Sequence, residues 1–111
     1  MNKNNFVKQS SEQFYIYASI LNNQAADETV GLADSSVVIV DKDDTVVTND
    51  IKVVDSAAIA DDPKGSYTDN AYKIGIKAGT AAASPYKITF LLDTSSNNIY
   101  EVDVQMIVRE I

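Results

Sequence analysis

The sequence contains no cysteine, no histidine and no tryptophan. Without cysteine, the fold cannot depend on a disulfide or on a thiolate metal site. Without histidine, the chain lacks the side chain whose ordinary pKa suits proton transfer near neutral pH, and also the commonest zinc ligand. A serine nucleophile would therefore need a lysine as its base. These absences predict that the protein is not an enzyme and carries no cofactor.

No apolar run approaches the ~20 residues that a transmembrane helix needs. The segment from Phe14 to Leu21 is apolar, but Glu12 and Gln13 precede it and two tyrosines interrupt it. Those features argue against a cleaved signal peptide. We therefore expect the chain to stay in the cytosol or to leave it as part of an assembly.

Acidic residues outnumber basic ones by 16 to 9, which gives a net charge of −7. The basic residues are scattered singly, so neither nucleic-acid binding nor attraction to an anionic membrane is expected. A chain of 111 residues that is 45% hydrophobic can form a core. We predict one domain over residues 1–111, frayed at residues 1–5.

The last third of the chain alternates strictly between apolar and other residues. The even-numbered positions are apolar from Tyr86 to Leu92 and again from Tyr100 to Val108. A period of two indicates half-buried strands, because successive side chains point to opposite faces. The two segments predict a hairpin in which Tyr86 faces Met106 and Leu92 faces Tyr100. A slip by one residue would set apolar side chains against polar ones on both faces.

Shorter patterns predict further strands at residues 6–8, 14–21, 30–32, 36–40, 45–48 and 72–78. The strand at 36–40 is β-branched, which is typical of burial on both faces. Residues 51–60 fit either a strand or, at 56–60, one helical turn. About seven strands separated by turn signals predict an all-β fold, an immunoglobulin-like antiparallel β-sandwich.

Tyr86 follows a crossover loop that contains Gly79 and Thr80, at the start of the penultimate strand. This placement is typical of a tyrosine corner, in which the phenol hydroxyl bonds to backbone a few residues upstream, and here the backbone of residues 79–83 supplies the candidate acceptors. The alternative is an ordinary core tyrosine. We favour the corner because a buried tyrosine hydroxyl needs a partner.

Asp41, Asp43 and Asp44 lie in one turn, and this spacing could present oxygens to a calcium ion. The turn lacks the glycine and the distant bidentate glutamate of an EF-hand, and aspartate is favoured in any solvated turn. We therefore predict no metal site, with these three residues as the candidates should one exist.

Two sets of side chains are candidates for an interface. Tyr15, Tyr17 and Leu21 share one face of the first long strand. That face either contacts a partner or is covered by other parts of the chain, because only one face of the strand can join the core of a two-layer sandwich. A second patch is expected on the outer face of the final hairpin, formed by Leu91, Ile99 and Ile107.

Several short motifs occur in a characteristic order: Ser11-Glu12, Asp41-Lys42-Asp43-Asp44, Lys77-Ala78-Gly79-Thr80, Tyr86-Lys87-Ile88-Thr89, Asp93-Thr94-Ser95-Ser96 and Val108-Arg109-Glu110. In this the chain resembles small structural proteins of tailed phages and prophages that have an Ig-like fold. It departs from them at Asn97-Asn98, where the family often has glycine. Asparagine also tolerates left-handed backbone geometry, so the hairpin is still expected.

The resemblance implies a non-enzymatic structural or assembly protein of a phage particle, in the head or the tail. Its partners would be other virion subunits or itself, as a homo-oligomer or bound to the capsid or tail. Its location would be the virion, assembled in the cytoplasm of the host bacterium. The alternative is an Ig-like binding module of a bacterial surface or adhesin protein that binds carbohydrate or calcium.

Overall fold

The computed structural model describes residues 4–20, 28–61 and 68–110. In chain order its elements are β1 (Asn4–Lys8), β2 (Phe14–Ser19), β3 (Ser36–Val40), the single-turn helix α1 (Thr48–Ile51), β4 (Ala58–Ala60), β5 (Ala71–Ile76), β6 (Tyr86–Asp93) and β7 (Ile99–Val108). Asn4 and Asn5 pair with β7. The domain boundary and the frayed terminus stay predictions, and residues 1–3 lie outside the described part.

The seven strands form two sheets, one with the order β1-β7-β6-β3 and the other with the order β2-β5-β4. An immunoglobulin sandwich places its second, fifth and fourth strands in one sheet and its third, sixth and seventh in the other. This chain has the same arrangement, with β1 added parallel to β7 at the edge of the larger sheet. The prediction of an all-β, immunoglobulin-like sandwich of about seven strands is confirmed.

The hairpin of β6 and β7 has the predicted register. Tyr86 lies opposite Met106 and Leu92 opposite Tyr100. Asn97 adopts φ 62° in the turn, as the left-handed tolerance of asparagine allows. The register follows from burial, because the even-numbered residues of β6 lie in the core and a slip would expose them.

The core lies between the two sheets. Its buried apolar side chains come from both of them, chiefly Ile39, Ile88, Phe90, Leu92 and Met106 from the larger sheet, and Ala18, Tyr72, Ile74 and Ile76 from the smaller one. The Tyr72 and Phe90 rings meet edge to face across the sandwich, with their centroids 6.0 Å apart. Because these side chains point into the core, the alternate residues of each strand lie on an outer face of the sandwich.

The middle of the chain differs from the sequence expectations. The segment 45–48 makes one bridge, between Val46 and Val40, and α1 begins at Thr48. Of the two alternatives for residues 51–60, the helical turn at 56–60 is wrong, since residues 58–60 form β4 and pair with β5. Val38 in β3 is exposed, so burial of that strand on both faces is wrong too, because its outer face has no second layer over it.

At residues 30–32 a single bridge, between Val30 and Thr94, forms in place of the predicted strand, and the Val30 and Gly31 N–H groups donate to the carbonyls of Asp69 and Asp93. In the part of the chain that the structure describes, no helix is long and apolar enough to span a membrane.

Candidate binding surfaces

Two tyrosines stand side by side on the outer face of the three-stranded sheet. Tyr15 and Tyr17 pair with Gly75 and Lys73 of β5, and Ala58 of β4 lies on the other side of Lys73. Tyr15 is 55% exposed and Tyr17 is 44% exposed. Because β2 sends Ile16 and Ala18 inward, its alternation forces both tyrosines outward. We call Tyr15, Tyr17 and Lys73 the tyrosine face.

The tyrosine face combines aromatic area with one positive charge. The Lys73 Nζ lies 4.7 Å from the centroid of the Tyr15 ring, at the distance of a cation–π contact. The neighbouring outer positions are small, with Gly75 opposite Tyr15 and Ala58 beside Lys73. A Cβ at Gly75 would lie 3.0 Å from the Val53 Cγ2 and 3.3 Å from the Ser56 Cβ, so Val53 and Ser56 occupy the space over Gly75, next to Tyr15. Leu21, predicted as a third member, lies outside the described residues.

Three aliphatic side chains form a diagonal on the outer face of the four-stranded sheet. Leu91 pairs with Ser36 and with Glu101, so Val38 on β3 and Ile99 on β7 are its diagonal neighbours. These three side chains are between 41% and 67% exposed. We call Val38, Leu91 and Ile99 the aliphatic face.

The aliphatic face is bordered by acidic side chains. Glu101 lies directly opposite Leu91, and Asp93 pairs with Ile99. Asp103 accepts a hydrogen bond of 3.0 Å from the Thr89 hydroxyl. Ile107, predicted as part of the same patch, is half-buried and pairs with Val7 at the other edge of the sheet. The structure therefore brings Leu91 and Ile99 together and separates Ile107 from them.

Tyr86 lies in the geometry of a tyrosine corner. Its side chain is 4% exposed, and its hydroxyl oxygen lies 3.0 Å from the Thr80 nitrogen. The Thr80 N–H donates and the phenol accepts, which reverses the direction expected from the sequence. Gly79 has φ 88°, and a Cβ there would lie 3.1 Å from the Val108 Cγ2. Glycine at this position thus satisfies both the left-handed backbone and the close packing.

Lys8 is buried beside this crossover, which the sequence analysis missed. Its side chain is 1% exposed, and Nζ donates to the carbonyls of Gln9 (2.7 Å), Ser10 (3.2 Å) and Ala78 (2.6 Å). Burial lowers the pKa of Lys8, and the nearby carboxylates of Glu12 and Glu110 oppose that shift. The signal was available, because Lys8 shares the inward period of Phe6 in β1.

A second buried polar cluster holds the turn of the last hairpin. Glu28 is 1% exposed and accepts hydrogen bonds from the Thr94 hydroxyl, from Asn98 Nδ2 (3.0 Å) and from the Tyr100 hydroxyl (3.4 Å). The backbone nearby is also joined, since the Ser95 N–H donates to the Thr29 carbonyl. No periodic pattern in the sequence indicates that this carboxylate is buried. Its partners anchor a loop to a hairpin, which is a structural role.

Aspartates of the 41–44 turn stabilise the turn in which they lie. Asp41 Oδ1 accepts hydrogen bonds from the N–H groups of Asp43 (2.8 Å) and Thr45 (3.0 Å). Asp44 has φ 63°, which closes the turn. Across residues 4–20, 28–61 and 68–110, no three acidic side chains gather in a way that could hold a metal ion. This arrangement is that of a solvated turn.

A cleft of about 430 Å³ lies between this turn and the outer face of β6 and β7. Its polar side chains are of both signs: Asp41, Lys42, Asp44, Lys87, Asp103 and Gln105. Its volume falls in the range of small-ligand pockets. However, the mixture of charges selects no particular class of ligand.

One serine lies three residues before a lysine, Ser84 before Lys87. The Ser84 Oγ accepts a hydrogen bond of 2.9 Å from the Val108 N–H. Lys87 lies exposed on the outer face of β6. Ser84 therefore holds the end of β7 through its hydroxyl oxygen, which is a structural role.

No protein-family model matches this chain, and no curated protein matches it. Several solved structures match the chain. One is the ZIG-8 IG1 homodimer, with 13% identity and a TM-score of 0.38 over 96% of this chain and 79% of that one. Another is Dpr11 IG1 bound to DIP-gamma IG+IG2, with 12% identity and a TM-score of 0.42 over 96% of this chain and 46% of that one. A third is the ZIG-8–RIG-5 IG1–IG1 heterodimer, with 15% identity and a TM-score of 0.39 over 95% of this chain and 81% of that one. The fold assignment itself depends on the strand order and register described above.

Proposed function

We propose that this chain is a non-enzymatic protein-binding module that serves as a structural or assembly subunit of a bacteriophage or prophage particle. The observation that carries the proposal is the exposed pair Tyr15 and Tyr17, held side by side on a strand. Tyrosine is enriched at the energetic centres of interfaces, and its two side-chain torsions keep the entropy lost on binding small.

The way the chain uses its buried polar groups supports a binding role. Lys8 donates to backbone carbonyls, Glu28 anchors a hairpin turn, and Tyr86 accepts from the crossover loop. Each of these groups fixes a loop or a strand end to the sandwich. The result is a rigid frame that presents two outer faces to neighbouring molecules.

The phage setting of the proposal comes from the motif order around Lys77–Thr80, Tyr86–Thr89 and Val108–Glu110. Two of these segments lie at the tyrosine corner, and the third begins with the last residue of β7. They therefore relate to how the sandwich is built, and the assembly role is carried over by analogy of fold. The chain would be assembled into the virion in the cytoplasm of the host bacterium.

The second candidate is a carbohydrate-binding module of a bacterial surface or adhesin protein. The same tyrosine pair favours it, because neighbouring exposed rings can stack on sugars. Lys73 lies over the Tyr15 ring and competes for one face of that platform. We therefore rank it below protein binding.

The test is incorporation into particles. A tagged copy of the chain would be expressed in a lysogen of the prophage that encodes it, the prophage induced, and the particles purified on a density gradient. We expect the tagged chain to sediment with the particles. The double substitution Tyr15→Thr and Tyr17→Thr should reduce its share of the particle fraction at least tenfold.

The matched control is Val54→Thr, which changes an exposed apolar residue in the turn after α1 and should leave incorporation unchanged. Particles that form normally without the tagged chain would refute the phage role. Retention on immobilised glycans that Tyr15→Thr abolishes would favour the carbohydrate-binding candidate instead.

A further inference from the structure

We propose that the chain binds further copies of itself head to tail, with the tyrosine face of one copy against the aliphatic face of the next. This inference rests on the proposed protein-binding function and names the partner and the geometry. The two faces lie on opposite sides of the same sandwich, because each is the outer surface of a different sheet. A contact between unlike faces leaves one face open at each end, so the assembly can continue as a ring or a filament.

Charge favours the pairing of unlike faces. On the strands of the four-stranded sheet, the outer face carries Lys87 against Asp93, Glu101 and Asp103. Among the described strand residues of the three-stranded sheet, the outer face carries Lys73 as its one charge. Stacking two aliphatic faces would bring together two acidic borders, whereas stacking unlike faces places Lys73 against acidic side chains.

The shapes and side chains of the two faces also favour the pairing of unlike faces. Tyr15 and Tyr17 are exposed, with Val53 and Ser56 over Gly75 at one side of them, whereas the aliphatic face is a diagonal across three strands. The exposed rings can lie on that diagonal and bury aliphatic area beneath them. Face-to-face packing of sheets at about 10 Å is the ordinary way in which β-sandwiches form their own cores.

The area of the contact between the two faces determines how strong self-association should be. Three strands about 4.8 Å apart and six residues of about 3.3 Å each give a face of about 14 by 20 Å. That is well below the roughly 800 Å² per partner of a stable complex. Self-association should therefore be weak for the isolated chain and visible only at high concentration, with the many weak contacts of an assembly adding together.

The test uses two double variants, each with one face removed. Tyr15→Thr with Tyr17→Thr removes the tyrosine face, and Leu91→Thr with Ile99→Thr removes the aliphatic face. Threonine keeps the strand propensity of these exposed positions, and a thermal melt would check that each variant folds. Sedimentation equilibrium would be run from about 10 μM to about 1 mM for the wild type, each variant, and an equimolar mixture of the two variants.

We expect the average mass of the wild type to rise with concentration and to pass that of a dimer. Each variant alone should remain monomeric, while the mixture should form a 1:1 dimer that does not grow, since each partner supplies one intact face. Lys73→Glu alone should weaken the association of an otherwise wild-type chain. Val54→Thr should associate like the wild type.

A monomeric wild type at about 1 mM, or a mixture that stays monomeric, would overturn the proposal. So would a homodimer formed by either variant alone, because that result requires like faces to pair. Failure here together with incorporation into particles would refute self-stacking and leave the protein-binding role standing. Self-association without incorporation would refute the phage role instead.

Discussion

The crossover end of the sandwich and the tyrosine face use similar side chains for opposite purposes. At the crossover, Lys8 and Tyr86 are almost wholly buried and their polar atoms bond to backbone. On the tyrosine face, Lys73 and Tyr15 meet each other at the surface, and more than half of the Tyr15 side chain is exposed. A lysine and a tyrosine thus stabilise the fold in one place and offer a contact surface in the other.

Substitutions at these two places should have different effects. Removing a buried polar group leaves its partners unsatisfied, which costs stability. Removing an exposed aromatic side chain changes little in the folded chain and removes contact area from a partner. Stability and binding should therefore respond to different residues, even where the residue types are the same.

Among the substitutions considered, Lys8→Met should cause the largest loss of stability. Methionine keeps the length of the side chain but leaves the carbonyls of Gln9, Ser10 and Ala78 without this donor. The release of a buried charge offsets part of that loss. We expect a decrease of about 2–3 kcal/mol in the free energy of unfolding, measured by urea denaturation at pH 7.

Lys87→Met is the matched control, because Lys87 is exposed on β6. Its substitution should change the free energy of unfolding by less than about 0.5 kcal/mol. Equal stability of the two variants would mean that the buried ammonium does not hold β1 to the crossover.

Tyr86→Phe and Tyr17→Phe compare a buried tyrosine hydroxyl with an exposed one, because each substitution removes one hydroxyl and nothing else. The Tyr86 hydroxyl accepts from the Thr80 N–H inside the fold, so its removal should cost about 1 kcal/mol. The Tyr17 ring is exposed, so the same change there should be neutral within about 0.5 kcal/mol. Thermal and urea unfolding of both variants would measure the difference, and equal costs would show that the corner bond contributes nothing.

The sequence predicted the regions where burial repeats with the period of a strand. The register of β6 and β7 follows from their alternation alone, because only one pairing buries every apolar residue. The same reasoning assigned Tyr15 and Tyr17 to one outer face, since β2 must turn one side outward, but it did not include Lys73. It also predicted the immunoglobulin-like class, which needs little more than the number of strands and the turns between them.

Predictions from the sequence are wrong where a tertiary contact decides the local structure. Residues 45–60 contain β-branched and helical patterns together, and the outcome depends on the Val53 N–H bonding to the Gly75 carbonyl and on Ile51 entering the core. Buried Lys8 and Glu28 were missed for a related reason. A charged side chain is usually exposed, and its burial depends on partners distant in sequence, Ala78 for the first and Thr94 for the second.

The smallest expected effect lies at the edge of the crossover, where Glu110 Oε1 accepts a hydrogen bond of 2.9 Å from the Ser10 N–H. This bond holds the pKa of Glu110 below its ordinary value, and nearby Lys8 adds to the shift. A carboxyl whose pKa is lower in the folded state stabilises the fold above its unfolded pKa, about 4.3, and loses that contribution as pH falls through the folded pKa. Glu110→Gln should therefore lower the melting temperature slightly at pH 7, and the difference from the wild type should shrink as the pH is lowered from 5 towards 2. Melting curves of both proteins over that range would measure it, and a difference that is constant with pH would show that the carboxylate charge plays no part in joining the two ends of the chain.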